Sequence, residues 1–105
     1  MMLVHAHHGL DLDGAPVTAG VSRGGEVAAI AGGGSARLSP DGAERLAAWL
    51  IVSAAAGRAR FAGDTGAPIM PSPDSMAAAL GHVSEYAARA LDSIGAAAEP
   101  PEVPR

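Results

Sequence analysis

The chain contains no cysteine, lysine, asparagine or glutamine, and only one residue each of Trp, Tyr and Phe among its 105. Without cysteine there is neither a disulfide framework nor a thiolate metal site, which fits a reducing compartment. Without lysine, the basic charge rests on seven dispersed arginines, and a formal net charge of −4 disfavours a nonspecific nucleic-acid binder, which needs a concentrated basic footprint. The first residues lack the basic and long apolar segments of a secretory signal, so a cytoplasmic location is expected. The longest uncharged apolar run, Leu46–Ala56, is far shorter than the ~20 residues that span a bilayer. Large apolar residues are also scarce. The 49 % hydrophobic content is about half alanine, and Leu, Ile, Val and Phe make up about a fifth of the chain, close to the composition at which cores fail. A thinly packed domain that gains from burial in an oligomer is the expectation.

What is present is clearest at Leu38–Gly57. Ser39 is placed to cap a helix by accepting from the N–H of Asp41 or Gly42, Pro40 suits the first helical position, and Asp41 suits its dipole. Gly57, followed by Arg58 and Arg60, reads as the stop. Ala43, Leu46, Ala47, Leu50 and Ala54 form a helical stripe expected to face a sheet. Trp49, Ile51 and Val52 fall off that stripe and require a different cover.

Before this helix, Asp13-Gly14 and Gly24-Gly25 are two-residue hairpin signals between segments that alternate with period two. They predict three antiparallel strands, at about 3–12, 15–23 and 26–31, with Leu10 beside Val17, Val21 beside Ala28 and Ala19 beside Ile30 on the helix-facing side. His5, His7, Asp11 and Thr18 fall on the other side. Gly32-Gly33-Gly34-Ser35 reads as a connector, and Gly57–Pro71 as a long loop. Ser72-Pro73-Asp74 repeats the cap chemistry and opens a second helix at about 73–95. There Met76, Leu80, Val83, Ala87, Ala90 and Ile94 recur with a spacing suited to packing on another helix, while Glu85 and Arg89 pair on the wet side. Residues 99–105 read as a disordered Pro-rich tail.

The expected fold class is therefore α+β: a three-stranded antiparallel meander backed by one helix, a long loop and a C-terminal helix, forming one domain over 1–98.

Four motifs carry chemistry on paper. His5 and His7 share a strand face and bear ligands suited to a divalent metal, but His8 points to the opposite side, Asp13 is committed to a turn and no further His lies nearby, so a solvated strand edge accounts for them. Gly20-Val21-Ser22-Arg23-Gly24 matches the G-x-S-x-G nucleophile elbow, yet it leads into a hairpin rather than a helix. Asp64-Thr65-Gly66-Ala67 resembles the catalytic signature of retroviral-type aspartic proteases. That resemblance implies a dimer in which two aspartates share a proton, and a turn begun by Asp64 accounts for the same four residues. Gly32-Gly33-Gly34 lacks the Lys of a phosphate-binding loop.

No motif completes a catalytic, cofactor or metal site. The sequence points instead to a non-enzymatic protein–protein interaction or dimerisation module, with Trp49, Ile51, Val52, Leu80 and Val83 as the expected partner interface. A regulatory or nucleic-acid-associated role through Arg45, Arg58 and Arg60, and a small metal-dependent or aspartic-type hydrolase, are the alternatives.

Overall fold

A computed structural model of the chain describes residues 2–98; the expected tail lies outside them. Its elements are β1 (Leu3–Leu10), β2 (Pro16–Ser22), β3 (Val27–Ala31), α1 (Pro40–Phe61) and α2 (Pro73–Ala98). The strands form an open antiparallel sheet in the order β1-β2-β3, and both α1 and α2 follow it in the chain, so the fold is α+β as expected.

Both hairpins turn on three residues where two were expected. Asp11 N–H donates to Ala15 O at 2.9 Å and Gly14 N–H donates to Asp11 O at 3.1 Å, and Ser22, Gly25 and Glu26 repeat the pattern at 2.9 and 3.0 Å. Gly14 and Gly25 take positive φ, 78° and 87°, as a three-residue loop ending in a left-handed residue requires. The side chain at the start of each loop helps to fix it. Asp11 Oδ1 accepts from the N–H groups of Asp13 and Ala15 at 2.9 and 2.8 Å, and Ser22 Oγ accepts from Glu26 N–H at 3.1 Å.

The added loop residue shifts each register by one, and in a strand that reverses which side chains face the helix. Gly9 pairs with Val17 and His7 with Ala19, while Ala19 pairs with Ala29 and Val21 with Val27. The expected inner face of β2 is retained, since Val17, Ala19 and Val21 are all buried. Its neighbours are exchanged. His5 and His7 join the helix-facing side, whereas Leu10, Ala28 and Ile30 move to the open one, with Leu10 and Ile30 mostly exposed.

Ser39 caps α1 as expected, its side chain accepting from Gly42 N–H at 3.0 Å. Gly57 does not end the helix. It lies against the second hairpin, where an added Cβ would stand 2.6 Å from Gly25 O and 2.7 Å from a Val21 methyl. The glycine serves close approach between helix and turn, and α1 continues to Phe61. The sheet-facing stripe is also rotated from the one expected. Trp49, Ser53, Ala56 and Gly57 turn toward the sheet, while Ala43 and Ala47 are exposed. Room for the indole decides the rotation: Gly9 has no side chain, and a Cβ there would lie 2.6 Å from Trp49 Cη2.

The connection from α1 to α2 is pinned rather than loose. Arg60 donates to Ala67 O at 2.8 Å and to Arg23 O at 3.2 Å, which ties the end of α1 to both its own exit loop and the second hairpin. Ser72 then caps α2 reciprocally with Ser75: each backbone N–H donates to the other's Oγ, at 2.8 and 3.1 Å. α2 lies against α1. Its shielded side carries Ser75, Ala79 and His82, spaced as one helical stripe. The expected seam through Leu80 and Val83 lies about a quarter-turn away and stays open.

Candidate functional site

Two features stand out once the elements are in place. The first is the outer side of α2. Leu80, Val83, Tyr86, Leu91 and Ile94 are 52, 38, 58, 68 and 64 % exposed, and Ala87 between them is exposed too. Leu80, Val83, Ala87, Leu91 and Ile94 form a single stripe down the helix, because their 3-4-4-3 spacing keeps them within one face. Glu85, Arg89 and Asp92 occupy the opposite side, with the Arg89 guanidinium 5.9 Å from the centre of the Tyr86 ring. α2 is thus amphipathic, with its apolar stripe uncovered.

The second is a cavity of about 130 Å³ between β1, α1 and the loop that leads to α2. His5, His7, Val21, Val52, Ser53, Ala56, Met70 and Pro71 line it. The corrected register brings both imidazoles here, since His5 and His7 sit opposite Val21 and Ala19 on the buried side. The His7 ring stacks on Trp49, with centroids 6.1 Å apart and planes inclined by 11°. Ser53 is 1 % exposed and its Oγ has no hydrogen-bond partner, an unusual state for a buried hydroxyl. His8, on the opposite side of the strand, is bonded to Thr18 Oγ1 at 3.1 Å instead.

The five residues expected at a partner interface are therefore divided. Trp49 is half-buried against Gly9 and His7, Ile51 is half-buried, and Val52 lines the small cavity. Only Leu80 and Val83 lie on an open apolar stripe, joined there by Leu91, which the seam read from the sequence did not include. The large apolar surplus is on α2 and the open face of the sheet, and not along α1, where Phe61 at the end is the one large hydrophobic residue that is mostly exposed among the described residues.

The remaining motif residues take structural roles. Ser22 anchors its hairpin loop and is 7 % exposed. Asp64 begins a turn closed by Ala67 N–H donating to Asp64 O at 3.1 Å. Of the three arginines considered for nucleic acid, Arg60 is held by two backbone carbonyls. Among the described residues no group of three His, Cys, Asp or Glu side chains is placed to hold a metal ion, and no helix is long and apolar enough to cross a membrane. The chain matches no family model, no curated protein and no solved structure.

Proposed function

We propose that this chain is a non-enzymatic self-association module in which α2 pairs with α2 of a second copy. One observation carries the reading: the apolar stripe Leu80, Val83, Leu91 and Ile94 is exposed on a helix whose polar residues lie on its other side. A second copy is the occupant that this stripe fits. An antiparallel pair centred on Ala87 sets Leu80 opposite Ile94 and Val83 opposite Leu91, each large side chain meeting a large one, with the small Ala87 at the crossing where the helices come closest. The same arrangement keeps the two sheets at opposite ends.

Covering the exposed part of each such side chain is worth about 0.5–2 kcal/mol, before the cost of association. Sedimentation equilibrium across a concentration series tests the reading. A monomer–dimer equilibrium is expected, abolished by Leu80→Glu with Ile94→Glu. Both sites are solvent-exposed in the single chain, so the double variant should fold. A wild-type chain that is monomeric at every concentration overturns the proposal.

A further inference from the structure

We infer that the cavity between β1 and α1 is a site for a soft monovalent metal ion, copper(I), held by the imidazoles of His5 and His7 and the thioether of Met70. The three side chains line the same space of about 130 Å³, and the rest of its wall is largely apolar, from Val21, Val52, Ala56 and Pro71. That chemistry selects the ion. Thioether and imidazole are the ligands that favour copper(I), which is satisfied by few ligands, whereas zinc takes four nitrogen, sulfur or oxygen ligands and calcium or magnesium takes an oxygen shell. Among the described residues no carboxylate lines this cavity. The absence, among the described residues, of a group of three His, Cys, Asp or Glu side chains does not bear on a set completed by a thioether.

A second observation points the same way. An imidazole bound to a metal through one nitrogen almost always donates its other N–H to an oxygen acceptor, which fixes its tautomer. Ser53 lines the same cavity and its buried Oγ has no hydrogen-bond partner, so an acceptor is left free for an imidazole N–H once His5 or His7 turns to hold the ion. Ser53 is thereby a positioning residue rather than a ligand. Trp49, stacked on His7, restrains the ring from its other side. Met70 is 64 % exposed, at the mouth of the site, where its flexible side chain can close over an ion entering from solvent.

The test is an anaerobic titration of the untagged full-length protein with copper(I) against a chromophoric copper(I) chelator, with X-ray absorption of the loaded protein. One ion per chain is expected, with two nitrogen neighbours and one sulfur. Met70→Leu, at a largely exposed position, should fold and lose about tenfold or more in affinity. Ser53→Ala should lose about tenfold in affinity as well, without any loss of thermal stability. His8→Ala should bind as the wild type does. Absence of binding, an affinity unchanged by Met70→Leu, or a loss in His8→Ala equal to that in His7→Ala would each overturn the site, the last because His8 lies on the face of β1 away from the cavity.

Discussion

Asp11 joins three parts of the chain through one carboxylate. Its Oδ1 accepts from the N–H groups of Asp13 and Ala15 within the first hairpin, and its Oδ2 accepts from Arg37 N–H at 3.3 Å in the segment before α1. Next to it, Arg37 pairs with Asp13 at 2.8 Å, an exposed contact worth little by itself. These contacts hold the Asp11 carboxyl below its ordinary value of 3.8. The largest cause is the Ala15 N–H, opposed by partial burial and assisted by the N–H groups of Arg37 and Asp13 and by the Arg37 charge. A carboxyl lowered on folding adds stability at pH above its unfolded-chain value, and that stability is lost as pH falls through the lower folded value. Asp11→Asn should therefore be less stable than the wild type at neutral pH, and the gap should narrow in strong acid. Denaturant unfolding of both proteins across that range checks it; parallel curves would show that the carboxylate charge adds nothing. The signal was present in the sequence, because an acceptor side chain with glycine three residues later marks this loop at both Asp11-Gly14 and Ser22-Gly25. A two-residue reading of Asp13-Gly14 uses the same glycine and misses the residue that anchors the turn.

At the scale of elements, existence and type were legible and facing was not. Caps at Ser39 and Ser72 and alternation in the strands placed every strand and helix of the described residues. The direction each face takes depended on one residue of loop length, which propensity does not resolve. The rotation of α1 has a similar origin. Its apolar residues surround the helix, so the stripe that docks is chosen by where the sheet offers room, at Gly9 for Trp49 and at Gly25 for Gly57. Glycines inside a strand and inside a helix were the available signal, since such positions often mark close backbone approach. The two contacts should differ in tolerance. At Gly57 an added methyl meets backbone and a buried valine, and Gly57→Ala should cost about 1–3 kcal/mol net, although alanine is otherwise the better helix former by up to about 1 kcal/mol. At Gly9 the obstacle is the far end of one side chain. Gly9→Ala should cost less and should shift Trp49 emission to the red as the ring moves outward. Gly81→Ala, where nothing lies within 4 Å of the new methyl, should instead stabilise by about 1 kcal/mol. Equal losses at Gly57 and Gly81 in chemical denaturation would mean that the close approach is not what requires glycine at Gly57.

For the whole molecule, shape and stability become one problem. Its radius of gyration is 17.1 Å, against about 13 Å for a compact chain of this length, and its extents are 64 × 33 × 21 Å. The largest fully buried side chains are only Val21 and Ser53, so the shared core is small. Beyond His82, every residue of α2 up to residue 96 is exposed, Val83 the least among its large apolar side chains at 38 %. An isolated helical segment of that length is marginal in water, because nucleation is costly and tertiary packing ordinarily supplies most helix stability. If a second copy covers this part of α2, pairing and helix formation are linked. Mean helicity at 222 nm should then rise with protein concentration along the same curve as the dimer fraction from sedimentation, and the thermal midpoint should rise with it by mass action. Leu91→Ser, placed on the exposed stripe and away from the sheet, should shift both curves together to higher concentration and leave Trp49 emission unchanged, because that ring reports the distant contact between α1 and β1. Helicity that stays constant while the dimer fraction changes would mean that α2 is fully formed in the single chain, and would break the link between association and folding.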